Sequence, residues 1–379
     1  MLMLFLLAGC ASSLTEEVEL PKEKPVLKIY LFAPSSPIIT RGNEGDVRAS
    51  EEEKRISTLD VWVFEHNDAH TPVGYIHLTN QTFEGQKEIT MEISDAFAGK
   101  DPRPYVDIYV AANVTSSNCG VTLTRDMTPA QLEDVGIGEG YFGVISKVSS
   151  VPIDGLPMSG ISDKDKGMQV TGVAPVLSAK ADNIILVRAV SKIRFILSKS
   201  TSNPPEITDL SISLDQGVIP TKEYIFLKGP YPGANCYVST GSYKEEATLV
   251  TGINDSDIAS CASPAKYLFG EETGQAYESR IDAGLTEQTV EGVTKPAELS
   301  EVGRFYLRES DQKLTGKISY RLGGVLKQPK FEMSSVGDFT RNHTWIVYGY
   351  FLGNGNLVLN AVDVKDWDDD EDIGETYNW

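Results

Sequence analysis

Positive charge is scarce in this chain of 379 residues: 34 Lys and Arg stand against 54 Asp and Glu, a formal net charge of −20 at pH 7. That balance argues against nucleic acid, whose phosphates need Lys and Arg, and against adhesion to an anionic lipid surface. It suits a solvated extracellular surface. Cysteine is sparse as well, with Cys10, Cys119, Cys236 and Cys261. No two of them stand at the CxxC spacing of a zinc site. Apart from Cys10 the count is odd, which is not a disulfide framework. A pairing of Cys236 with Cys261 across a loop stays open.

Recognisable catalytic patterns are also missing. The chain holds no GxSxG elbow, no HExxH and no GxxxxGK[ST]. Gly138, Gly140 and Gly143 match GxGxxG by letter, but no strand precedes them and no helix follows, as a dinucleotide site requires. Of four histidines, His66 and His70 are four apart, among Asn67, Asp68 and Pro72. That is a loop and not a helix face, so a metal site is not expected there. The acidic run from Asp366 to Asp372 lacks the turn glycine and spacing of a calcium loop, and is read as a solvated tail. The expectation is no enzyme, no cofactor and no metal.

Long apolar runs are missing too, none approaching the ~20 residues that span a bilayer. A short one opens the chain, and it ends in Leu7, Ala8, Gly9 and Cys10, the form of a lipobox. Small residues at positions 8 and 9 let a signal peptidase grip the backbone, and Cys10 supplies the thiol that is acylated. No Lys or Arg precedes the run, unlike most export signals. Each buried methylene of an acyl chain adds about 0.8 kcal/mol, so several chains on Cys10 anchor stably to a membrane.

What the chain does have is alternation with period two. Leu59, Val61 and Val63 alternate with Asp60, Trp62 and Phe64; Val106, Ile108 and Val110 alternate with Asp107 and Tyr109. Trp345, Val347 and Phe351 alternate with Ile346, Tyr348 and Tyr350. These read as half-buried strands. Residues 353–356 read as a hairpin turn. One short helix is expected, capped by Thr128, with Pro129 in its first turn, Gln131 closing a capping box and Gly136 ending it. A long strand is expected from Ile184 to Leu197, with Arg188, Lys192 and Arg194 on the face opposite its apolar residues. At about 3.3 Å per residue it is too long for one sandwich, so it is bulged or lies at a junction. Residues 162–172 read as a loop.

A further strand precedes all of these. Leu27, Ile29, Leu31 and Ala33 share one face, with Val26, Tyr30 and Phe32 opposite. A polar linker, residues 40–55, follows it and carries Arg41, Arg48 and Arg55. A prior of roughly 100–200 residues per domain and the spread of strands give an all-β chain of two tandem antiparallel Greek-key (transthyretin-like) β-sandwich domains. The expected divisions are a signal at 1–10, a strand and protease-sensitive linker at 11–57, sandwiches at 58–180 and 181–367, and an acidic tail at 368–379.

The lipobox at Cys10, the segments 59–64, 109–113, 156–160, 186–193 and 305–309, then Arg341 with Asn342 and the segment 364–367 come in an order that resembles the fimbrillin superfamily. These are the subunits of the type V, protease-assembled pili of Bacteroidia-type bacteria. The resemblance covers most of the chain. It implies a structural subunit of a cell-surface fimbria, exported as an outer-membrane lipoprotein. A trypsin-like surface protease then cuts after an arginine between the first strand and the first sandwich. Arg48 is the preferred scissile residue, and Arg41 the runner-up. The cut releases the lipid together with the strand of Leu27, Ile29, Leu31 and Ala33, and a donor strand from another subunit fills the groove. Leu357 to Val364 is the best donor candidate, or an internal strand. The alternative is a surface-anchored adhesin or glycan-binding lipoprotein, a tip or anchor subunit with a host protein or glycan as partner, for which Tyr231, Tyr237 and Tyr243 are candidate contacts.

Overall fold

The computed structural model describes residues 23–32, 51–81, 86–137, 151–179, 184–227, 243, 247–268, 277–310, 312–332, 341–342, 344–364 and 376–378. The chain is all-β, its strands gathered around two large apolar cores.

The first core lies between two sheets. Strand β1 (Val26–Phe32) pairs antiparallel with a strand at Gln86–Glu92 along one edge. Along its other edge it pairs in parallel with Val176–Ala179 and Ile184–Ile185. The facing sheet has β2 (Ile56–Glu65) between β3 (Pro72–Gln81) and the strand Val106–Ala112. Leu27, Ile29 and Leu31 meet Leu59, Val61, Val63, Val106 and Ile108 in one cluster.

The second core is built the same way. Ser191–Ser200 is central, flanked by Ser300–Leu307 antiparallel and Thr344–Phe351 parallel. The facing sheet centres on Ile207–Leu214 and Thr315–Leu322, which are antiparallel. Two sheets are therefore mixed, where sequence reasoning expects antiparallel ones.

Several strands expected to be half-buried are buried on both faces. Val106, Ile108 and Val110 enter the first core, while Tyr109 and Ala111 on the opposite face join a third cluster with Trp62, Phe226, Val187 and Tyr306. That cluster draws on both halves of the chain, with Trp62 and Tyr109 from the first and Tyr306 from the second. In Thr344–Phe351 every residue is buried, with Trp345, Val347 and Phe351 inward and Ile346, Tyr348 and Tyr350 against a smaller outer cluster. A layer covered on both sides reads as a near-continuous apolar run.

The expected long strand at 184–197 is three pieces: Ile184–Ile185 beside β1, Val187–Arg188 beside Met158–Ile161, and Ser191–Ser200 in the second core. The chain thus leaves the first pair of sheets at Arg188 and enters the second at Ser191. The expected loop holds over residues 162–169 but ends earlier than expected, at a strand Val170–Val173 that hairpins onto Val176–Ala179. The helix Pro129–Glu133 has the predicted capping box on Thr128 and Gln131, but Asp134 closes it, and Gly136 lies in a short strand. The turn at 353–356 joins Thr344–Phe351 to Leu357–Val364 as expected, with Gly355 at φ +80°. Leu357–Val364 is an internal strand, because Thr376–Asn378 pairs on its other edge. Among the described residues, no helix is long and apolar enough to cross a membrane.

Candidate functional site at the N-terminal strand

Strand β1 is at once the first described strand and the centre of its sheet. Leu27, Ile29 and Leu31 are each 0% exposed, and the intervening residues are intermediate, so the predicted alternation is realised. Leu27, Ile29 and Leu31 stand opposite Met91, Ile89 and Lys87 on one side. On the other, Leu27 is level with Leu177 and Leu31 with Ile184. The ends are fastened by main-chain bonds. Val26 donates to the Pro175 carbonyl at 2.7 Å, and Leu186 donates to that of Phe32 at 2.9 Å.

The outer face is held by polar contacts. Lys28 Nζ donates to Glu88 Oε1 at 2.8 Å, and the Tyr30 hydroxyl donates to Glu88 Oε2 at 2.8 Å. These two bonds hold the Glu88 carboxyl below its usual value and raise Lys28 and Tyr30 above theirs. Lys24 Nζ meets Glu92 Oε2 at 2.7 Å. Such exposed pairs orient the strand more than they hold it. The apolar face does the holding: three buried side chains contribute roughly 1.5–3 kcal/mol each.

The last residues of the expected 40–55 linker are folded, with a four-residue helix at Glu51–Lys54. Sequence reasoning missed what happens here. Glu53 is 1% exposed. Its carboxylate takes the Tyr306 hydroxyl at 2.6 Å and Lys192 Nζ at 3.3 Å, and its carbonyl accepts from Arg188 Nε at 3.1 Å. Arg188 Nη1 in turn donates to Asn342 Oδ1 at 3.0 Å. Glu53 therefore joins the start of the first core to the entry of the second. Burial pushes the Tyr306 hydroxyl upward, and the Glu53 charge adds to the effect.

Arg55 is fixed in its turn. Its carbonyl accepts from Asn113 Nδ2 at 2.7 Å, and its guanidinium donates to the Pro152 carbonyl at 3.0 Å. Asn113, at φ +57°, also donates to the Leu156 carbonyl at 2.8 Å and accepts from Ser57 N at 2.7 Å. Asn113, at the end of the 109–113 segment, thus makes one junction, tying Leu156 to the stretch that leads into β2. Arg341 marks another. It donates to both Glu309 and Glu223, and to the carbonyls of Tyr224 and Ile225. Burial pushes the Glu223 carboxyl well above its usual value in spite of Arg341.

Of the residues predicted for the site, the structure brings Leu27, Ile29 and Leu31 together. Cys10, Ala33, Arg41 and Arg48 lie outside the described residues, as do Cys236, Tyr231, Tyr237, the glycines at 138, 140 and 143, and residues 365–375. The hydroxyl of Tyr243 accepts from Gln312 Nε2 at 3.2 Å. His66 and His70 both turn to Asp107, at 2.8 and 3.6 Å. No group of three His, Cys, Asp or Glu that could hold a metal occurs among the described residues. Cys119 and Cys261 are buried free thiols, and burial pushes Cys119 up to about 12, which keeps it protonated.

No known family profile matches the chain, and no curated protein matches it. Solved structures do. The tip fimbrial protein Mfa3 from Porphyromonas gingivalis, with a C-terminal truncation, is 11% identical over 91% of this chain and 100% of its own, with a TM-score of 0.46. A fimbrilin (FimA) from Porphyromonas gingivalis W83 is 11% identical over 87% and 91%, with a TM-score of 0.43. The fimbrial anchor protein Mfa2 from the same species is 8% identical over 90% and 98%, with a TM-score of 0.39. These three matched chains are fimbrial proteins.

Proposed function

We propose that this chain is a subunit of a cell-surface fimbria, exported as an outer-membrane lipoprotein through Cys10 and assembled by exchange of β1. In this reading a trypsin-like protease cuts after Arg48, or after Arg41. The lipid and β1 leave together, and a strand from another subunit takes the vacated place. The working units are the two pairs of sheets, and their division is moved from the expected 180–181 to 188–191, because Ile184–Ile185 and Val187–Arg188 pair with strands of the first. The observation that carries the reading is the position of β1. It fills the middle of a sheet with three wholly buried side chains, yet it precedes the linker in the chain, so a cut in the linker separates it covalently from all the strands it pairs with. Its loss opens an apolar groove with unpaired main chain on both sides, and an incoming strand restores both. Head-to-tail insertion does not close on itself, so it yields a filament.

A second reading concerns position in the fibre. Leu357–Val364, the best donor candidate, is paired along the whole of one edge and, over Asn360–Val362, on the other. A strand so engaged is not free to donate, which favours a tip or anchor role, with adhesion to a host protein or glycan at a tip.

Limiting trypsin on the purified full-length chain tests the proposal. The expected result is a cut in the linker, release of the N-terminal piece and subsequent oligomerisation. An Arg48→Ala chain is expected to be cut after Arg41. A linker cut that neither frees β1 nor permits association with another subunit sinks the exchange mechanism.

A further inference from the structure

We infer that Glu53 is a latch: it keeps the segment after the linker seated on the second core, so that a trypsin-like protease cuts upstream of residue 51 and leaves Lys54 and Arg55 whole. The inference builds on the linker-cleavage reading above, but its own readout is cutting after Lys54 and Arg55.

A protease of this type takes its substrate extended for a few residues on each side of the scissile bond. By side chain alone, Lys54 and Arg55 qualify as well as Arg41 or Arg48 does. Their backbone does not. Lys54 ends the Glu51–Lys54 helix, and Arg55 leads directly into β2. Extending that stretch requires Glu53 to withdraw. Its side chain is 2% exposed and that of Lys192 is 4% exposed, so withdrawal breaks an ion pair inside the protein. It also breaks the bonds that the Tyr306 hydroxyl and Arg188 Nε donate to Glu53, and pulls Arg55 and Ser57 off Asn113.

Cutting of a segment that must first open follows the population of the open form. Breaking a buried ion pair lowers that population by about 100-fold or more. An exposed pair such as Lys24 with Glu92 gives no comparable protection.

The consequence bears on assembly. A cut upstream of residue 51 frees β1, whereas a cut at 54 or 55 also detaches the piece of chain that joins the two cores. With the latch closed, the new N-terminus stays tethered near the core junction while β1 departs. Strand release is thereby separated from loosening of the junction.

The test uses the full-length chain, limiting trypsin, and intact mass with N-terminal sequencing. Early wild-type fragments are expected to begin at Gly42 or Ala49. Those beginning at Arg55 or Ile56 are expected to be at least about 100-fold slower. In Glu53→Gln the Arg55 and Ile56 termini are expected to appear about 30-fold faster or more. Tyr306→Phe, which removes one hydrogen bond and no shape, is expected to raise them by about three- to ten-fold. Should Glu53→Gln fail to fold, Tyr306→Phe carries the test. Ile318→Val in the second core, remote from Glu53, is expected to leave the ratio of early to late termini unchanged. Wild-type cutting at 54 or 55 as fast as upstream overturns the latch, and so does an Ile318→Val effect as large as that of Tyr306→Phe. Absence of cutting at 41 and 48 in every chain overturns the exchange reading instead. The latch is then still decided by the variant ratio at 54 and 55.

Discussion

Ile29 sits at the middle of β1, wholly buried and opposite Ile89, with Leu27 and Leu31 two residues to either side. Replacing it by Ala removes the apolar transfer energy and leaves a cavity that close packing closes only in part. Such changes cost about 2–5 kcal/mol. In the intact chain that loss is spread over the unfolding of the whole first core. Once the linker is cut, β1 is held by noncovalent contacts alone, and the loss appears in its dissociation, where most affinity changes fall. A tenfold change corresponds to about 1.4 kcal/mol, so release is expected to quicken by about 30-fold at the lower limit. The assay is the full-length chain nicked in the linker, passed through a sizing column at successive times, with the bound N-terminal piece measured by mass. Tyr30→Phe is the matched control. Tyr30 lies on the outer face and contacts Glu88 at the surface, so its release rate is expected to change little. Equal rates for Ile29→Ala and wild type refute the reasoning that the buried face holds β1. A larger effect from Tyr30→Phe than from Ile29→Ala refutes it as well.

Three other outcomes follow from the same geometry. A Cβ added at Gly155, which has φ +86°, meets Asn113 Nδ2 at 2.4 Å and the Arg55 carbonyl at 2.7 Å; Gly155→Ala is expected to destabilise by about 1–3 kcal/mol, and an unchanged urea midpoint refutes a rigid Asn113 junction. Arg341→Met removes the buried guanidinium that pairs with both Glu309 and Glu223; a loss of about 3–5 kcal/mol is expected by denaturant titration, and a neutral result contradicts the role given to Arg341. Burial raises the Glu223 carboxyl, so its contribution is fully present below the unfolded value of about 4.3 and is lost as pH rises through the folded value. Glu223→Gln is expected to gain on wild type across that interval, read as the difference between their denaturant midpoints at successive pH values, and a flat difference refutes it.

Much of the fold could be read from the residues because its signals are local. Alternation at 26–32 marks β1 and its buried face, the Thr128 capping box marks a helix, and Gly355 marks a hairpin. What stayed hidden is tertiary. Residues 51–55, three Glu followed by Lys and Arg, look like solvated linker, and nothing local tells that Glu53 points inward. Arg188, Lys192 and Arg194 alternate with apolar neighbours and so read as an outward face. That face is covered by neighbouring elements, and each charge finds an acceptor there: Glu53, Asn342, or Asp282 with Glu301. The break of 184–197 into three strands has the same origin, since the chain changes sheets between residues that continue one pattern. Asn113 and Asn342 take left-handed backbone that the sequence alone does not announce, at φ +57° and +62°. For the candidate site, the buried face of β1 was legible and the latch behind it was not.

The central claim is that β1 is surrendered on assembly, and the N-terminus of the protein within surface fibres tests it most directly. Fibres sheared from intact cells and sequenced from the N-terminus are expected to give a chain beginning at Ala49 or Gly42, with residues 26–32 absent. A fibre-borne chain that still begins at acylated Cys10 and still contains Leu27, Ile29 and Leu31 contradicts the account.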